Sequence, residues 1–131
     1  MVSKPSPLAI VERREAAADS APCAASATRL CLNGGRFAVE ARWSIPGSSG
    51  AGQAVPLTGD TGYLWFFSDS NVEVVIKVLD GRPVNAKFWL FYGALSSVEY
   101  ALTVRDTVTG AVRVYRNPSG RMASVGDTSA F

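Results

Sequence analysis

The amino-acid sequence predicts an all-β fold, an antiparallel β-sandwich of roughly seven or eight strands, with a small closed β-barrel as the alternative. Three observations point there. Apolar and polar residues alternate along several short segments, turn chemistry separates those segments at intervals of about 8 to 14 residues, and no connection is long enough for a crossover helix. Composition agrees: of 131 residues 47% are hydrophobic and only 18% charged, with 12 glycines and 7 prolines punctuating the chain. That content supplies one ordinary core and no second domain of comparable size.

Residues 1–22 read as a leader or linker, and 23–131 as the single β-sandwich domain. The leader holds Pro5 and Pro7, the mixed charges Glu12, Arg13, Arg14 and Glu15, and an alanine-rich tract. Its one structured segment, LAIVERREAAA, suits a short helix or, through Leu8, Ala9, Ile10 and Val11, an added strand.

From Thr28 onward the strands follow in turn. TRLCL ends at Asn33-Gly34-Gly35, residues tolerant of positive φ that reverse the chain. In RFAVEARW, Phe37, Val39, Ala41 and Trp43 alternate with Ala38, Glu40 and Arg42, as on a half-buried strand. PGSSGAGQ, from Pro46 to Gln53, has no hydrophobic anchor and reads as an exposed, mobile loop, with Ser48, Ser49 and Gly50 at its centre. AVPL and GYLWFF flank the turn Gly59-Asp60-Thr61-Gly62. NVEVVIKVL places Val72, Val74, Ile76 and Val78 on one face. Asp80-Gly81-Arg82-Pro83 signals a reversal into AKFWLFYG, apolar on both faces and so a central strand. SVEYALTVRD puts Val98, Tyr100, Leu102 and Val104 on one side, Thr109-Gly110 closes a hairpin, AVRVYR returns antiparallel, and Asn117-Pro118-Ser119-Gly120 ends it.

Charge and residue inventory exclude several functions. The net charge of +2 is carried by scattered arginines, without the clustered stripe that counterion release from nucleic acid requires. No window approaches the roughly 20 apolar residues of a membrane span. The N-terminal stretch, whose apolar run covers only Leu8 to Val11, does not read as a signal peptide, so a secreted form would have lost its targeting segment or been cut from a larger parent chain. The sequence contains no histidine, which removes the Ser-His-Asp and Cys-His arrangements, and two cysteines alone do not complete a zinc site. Cys23 and Cys31 form either a disulfide closing a short loop, the favoured reading, or two buried free thiols; a disulfide supports an oxidising, extracellular or periplasmic compartment. The glycine stretches lack the strand-to-helix setting of a phosphate cradle. Among Asp60, Asp69, Glu73, Asp80, Glu99, Asp106 and Asp127 a catalytic carboxylate pair is formally available, but most lie at turns, where Asp caps the reversing backbone. Calcium at Asp60 or Asp69-Ser70-Asn71 lacks EF-hand spacing. No cofactor, metal site or enzymatic activity is expected.

The most distinctive features are the aromatic runs Tyr63-Leu64-Trp65-Phe66-Phe67 and Phe88-Trp89-Leu90-Phe91-Tyr92. Successive strand residues point to opposite faces, so either both faces of the sheet are covered or some of Trp65, Phe67, Trp89 and Phe91 form an exposed platform.

The segments LCLNGGRFAVEARW, AVPLTGDTGYLWFF, NVEVVIKVLDGRPVN and FWLFYGALSSVEYALTVRDTVTGAVRVYRNPSG, with the closing DTSAF, resemble a domain that recurs in large secreted bacterial proteins, commonly near their C-terminal ends. The resemblance covers residues 23–131. It implies a secreted or cell-surface accessory module appended to other domains, and, since a cysteine tends to precede LCLNGGRF in that family, a Cys23–Cys31 bond. It transfers no catalytic or binding residue. Three functions follow as expectations: a non-catalytic extracellular module for binding or surface attachment to a protein or glycan, through the aromatic strands or the 46–53 loop; a structural subunit that self-assembles when its N-terminal segment adds a strand to a neighbour's sheet edge; and an inhibitor of a secreted protease acting through Ser48 and Ser49.

Overall fold

The computed structural model describes residues 10–15 and 21–131. Two antiparallel sheets face each other. Sheet I runs in the order β1 (Ile10–Glu15), β10 (Ala111–Asn117), β9 (Glu99–Asp106), β3 (Phe37–Ile45) and β2 (Leu30–Leu32), with β4 (Ser48–Ala51) also paired to β3. Sheet II runs β11 (Ser124–Asp127), β8 (Phe88–Ala94), β7 (Val74–Asp80), β6 (Thr61–Trp65) and β5 (Gln53–Pro56). A single helical turn, α1 (Arg82–Asn85), joins β7 to β8. Among the described residues the sheets form a sandwich and no closed barrel, with eleven strands rather than seven or eight.

Alternation decides what meets between the sheets. Sheet I turns Leu30, Leu32, Phe37, Val39, Leu102, Val104 and Tyr115 inward, and sheet II answers with Leu64, Phe66, Val74, Ile76, Val78, Leu90 and Tyr92. All are buried. Of the alternating sets expected, Phe37, Val39 and Ala41, then Val74, Ile76 and Val78, then Tyr100, Leu102 and Val104 are the inward faces of β3, β7 and β9, whereas Val72 and Val98 precede β7 and β9 and Trp43 is only half-buried.

Polar side chains tie the two layers together where the chain crosses. Asn33 donates to the Val78 carbonyl at 2.9 Å. Asn117, fully buried, donates to the carbonyls of Val98 and Arg121 at 3.0 and 2.7 Å and accepts from the Ala123 N–H, which fixes the path from β10 into β11. The disulfide Cys23–Cys31 fastens the segment before β2 to β2 itself, and the Cys23 N–H donates to the Gly35 carbonyl.

Three expectations need correction. The segment read as a mobile loop is a hairpin: Pro46-Gly47 turns β3 into β4, with Ile45 opposite Ser48 and Gly47 at φ +78°. Strand pairing there comes from neighbours rather than composition, because the indole of Trp43 fills the space over Gly50. β11 was not expected at all. Asp80-Gly81-Arg82-Pro83 makes a helical turn instead of a tight reversal, its first backbone N–H, that of Arg82, donating to the Asp80 carboxylate. In the leader, Ile10–Glu15 form β1 on the chain's own β10, while Leu8 and Ala9 lie outside the described residues.

Asp106 closes the hairpin from β9 to β10. Its buried carboxylate accepts from Arg36 at 3.0 and 2.9 Å and from the Val108 N–H at 2.9 Å. Burial pushes its pKa up, yet the hydrogen bonds from Arg36 and Val108 outweigh that and hold it below the ordinary aspartate value. A depressed folded-state pKa contributes stability above the unfolded value, near about 4, that is lost as pH falls through the folded value. Asp106→Ala is therefore expected to lower stability at neutral pH by about 3 kcal/mol, since it strands the partly buried Arg36, and the gap from wild type narrows below about pH 4. Urea unfolding across pH reads both. Reducing the disulfide is expected to cost about 2.5 kcal/mol on the chain-entropy estimate, read by the same unfolding with and without reductant.

Candidate functional site

The alternation that builds the core also divides each aromatic run. In β6 and just beyond it, Leu64 and Phe66 point inward, which leaves Tyr63 and Trp65 half-buried on the outer face. In β8, Phe88, Leu90 and Tyr92 point inward and Trp89 and Phe91 outward. Cross-strand register places the outward residues in rows. Gln53 lies opposite Trp65; Val55, Tyr63, Val75, Gly93 and Ser124 form the next row; Thr61, Lys77, Phe91 and Gly126 the next; Leu79 and Trp89 the last. Rows two residues apart along a strand are about 6.8 Å apart. Three of the four aromatic candidates thus share the outer face of sheet II.

The fourth does not. Phe67 lies past the end of β6, is 49% exposed, and packs edge-on against Trp43 with ring centroids 4.8 Å apart. Phe66 and Tyr100 continue that cluster at one end of the sandwich. Trp43 was read only as a strand residue; its partnership with Phe67 depends on two segments that sequence spacing does not relate.

A groove of about 540 Å³ crosses the outer face of sheet II between Thr61, Val75, Lys77, Phe91, Ser124 and Gly126. Glycine shapes it. A methyl on Gly93 would meet nothing, so the groove is open there, whereas one on Gly126 would come within 3.1 Å of the Phe91 ring. Phe91 therefore rests on the backbone of β11, with the Lys77 ammonium 5.6 Å from its ring centroid. Trp89 packs over Gly81, where a methyl would overlap the indole, and its Nε1–H donates to Asn85 Oδ1 at 2.8 Å. Both rings are held in place rather than free to swing.

The charge at this surface is that of Lys77. The tyrosines behind it stay neutral near pH 7: burial pushes the Tyr92 phenol up to about 12, and burial likewise raises Tyr100 and Tyr115.

The other outer face, that of sheet I, is polar. A depression of about 430 Å³ there is bordered by Arg42, Ser44, Ser49, Glu99 and Arg116 over the small side chain of Ala101. Ser48 and Ser49 are exposed on β4 and Gly50 is half-buried beneath Trp43. No hydrogen bond joins two of the acids considered for catalysis. Asp60 accepts from Thr58 and Thr61, Asp80 from Arg82, Asp106 from Arg36, and Asp127 from Arg13 and Tyr115. No group of three or more metal-capable side chains occurs among the described residues, and no helix among them is long and apolar enough to cross a membrane. No family model, curated protein or solved structure matches the chain.

Gly81→Ala tests how Trp89 is held. Gly81 has φ −93°, which alanine adopts freely, so the substitution acts only through its methyl. The Trp89 indole N–H resonance is expected to shift toward that of a solvent-exposed indole as its bond to Asn85 breaks. An unchanged resonance rules out this packing.

Proposed function

We propose that this chain is a non-catalytic, extracellular accessory module for binding or surface attachment, and that its ligand is a glycan taken on the outer face of sheet II. One observation carries the reading. Trp65, Trp89 and Phe91 lie half-buried on a single sheet face, and Phe91 borders a groove whose open floor is glycine backbone and whose edge carries Lys77. Sugar rings present apolar C–H faces and a hydroxyl rim. Fixed aromatic rings stack on the first, and Lys77, Thr61 and Ser124 donate to or accept from the second. A volume of about 540 Å³ suits a few sugar units, within the roughly 300–1,000 Å³ usual for ligand sites.

The disulfide supports the extracellular part of the reading, since such bonds persist in oxidising compartments. The resemblance of residues 23–131 to a module of secreted bacterial proteins favours the accessory role. The inhibitor reading leaned on an exposed loop at Ser48 and Ser49; these residues pair with β3 instead, and nothing further favours it.

Affinity electrophoresis in gels containing soluble neutral polysaccharides (xylan, mannan, β-glucan, glycol chitin) tests the proposal. Wild type is expected to be retarded by at least one of them. Phe91→Ala and Trp65→Ala are each expected to lose ten-fold or more of that affinity while keeping wild-type circular dichroism, and Arg42→Ala on the opposite face is expected to bind normally. Absence of retardation in every gel, or retardation unaffected by both aromatic substitutions, overturns it.

A further inference from the structure

The outer edge of sheet I is attached unlike the rest of the fold. Among the described side chains of β1, Val11 is 37% exposed and Arg13 is more exposed still, and neither belongs to the apolar core. What holds the strand is its ladder with β10, running from Ile10 opposite Arg116 to Glu15 opposite Ala111, together with charged contacts. On the outward side Glu12 accepts from Arg116 at 2.7 Å. On the inward side Arg13 donates to Asp127 at 2.6 Å and to the Ser129 carbonyl at 3.2 Å. β10, by contrast, is fixed from its other side by β9 and by the buried side chains of Tyr115 and Asn117.

None of the described side chains of β1 belongs to the core, and the strand's departure would leave along β10 a row of unpaired N–H and C=O groups, a template for another strand. Side-chain chemistry specifies that strand. It must bring a carboxylate to the outward position beside Arg116 and a cation to the next, inward position beside Asp127. The pair Glu12-Arg13 of a second copy meets both conditions. We infer that the β10 edge is a strand-acceptor site and that two copies of this chain exchange β1 reciprocally, forming a two-fold pair.

Exchange reproduces every contact that β1 makes within its own chain, so protein concentration and the connection decide the balance. Residues 16–22, seven in all, join β1 to Cys23 and extend to at most about 25 Å. The exchanging strand belongs to sheet I and the aromatic groove to sheet II, so the inference stands or falls independently of the glycan reading. Where both hold, a pair carries two binding faces and gains avidity on a polymer.

Two full-length variants test it. Glu12→Arg sets like charges side by side within its own chain and within its own exchanged pair, and so does Arg116→Glu. Only in a mixed, reciprocally exchanged pair does each β1 again face an opposite charge. After the two are incubated together at high concentration, native mass spectrometry is expected to show the mixed dimer at least ten-fold above either homodimer. Wild type is expected to show a dimer that grows with concentration and disappears on deletion of residues 1–15. If either variant fails to fold by circular dichroism, Arg13→Asp with Asp127→Arg applies the same logic on the inward side. Mixed dimers no more abundant than chance, or a dimer that survives the deletion, overturn the inference.

Discussion

Closing an apolar layer between two sheets is the constraint from which the rest of this molecule follows. β3 and β9 supply one wall of that layer through Phe37, Val39, Leu102 and Val104, and β7 and β8 supply the other through Val74, Ile76, Val78 and Leu90. Because side chains alternate strictly along a strand, a residue committed inward forces its neighbours outward. In a run as uniformly apolar as Phe88 to Tyr92, half of the aromatic surface has to leave the core whatever its hydrophobicity. The face carrying Trp89 and Phe91 is thus a product of the core's own geometry. Its glycines, Gly81 and Gly126, give those two rings backbone to rest on.

The ends of the sandwich are closed by aromatic rings and arginines together. At one end Phe37, Phe88 and Phe131 pack with centroids 4.9 and 5.0 Å apart, and the guanidiniums of Arg36 and Arg82 lie 4.4 and 4.6 Å from the Phe88 ring. Arginine suits this position because its planar, weakly hydrated head covers an aromatic face while its N–H groups remain bonded, here to Asp106 and Asp80. At the other end Trp43, Phe66, Phe67 and Tyr100 interlock without arginine. Many of the scattered arginines are therefore structural: Arg13, Arg29, Arg36, Arg82 and Arg116 each lie beside a carboxylate, and Arg113 beside the Phe131 ring.

Chemistry is distributed unequally over the remaining surface. The outer face of sheet I mixes Arg42, Glu99 and Arg116 with small side chains such as Ser44 and Ala101, whereas the groove of sheet II sets Val75 and Phe91 beside Lys77. At the edge where β1 meets β10, attachment passes from apolar burial to main-chain pairing and ion pairs between partly exposed groups. The Glu12–Arg116 pair, exposed on both sides, contributes little to stability in water, which leaves this edge more readily rearranged than the apolar core.

The sequence alone determined the all-β class and the inward sets of β3, β7 and β9, and it favoured the Cys23–Cys31 bond over two free thiols, because alternation, turn residues and cysteine count are local properties. It also singled out Trp65, Trp89 and Phe91. Tertiary structure alone decided that β4 and β11 are strands: Gly-Ser segments carry no alternation of their own, and pair only because Trp43 covers Gly50 and Phe91 lies on Gly126. It also separated Phe67 from the other aromatics and assembled the groove from β6, β7, β8 and β11, which register, a property of pairs of strands and not of any one segment, brings side by side.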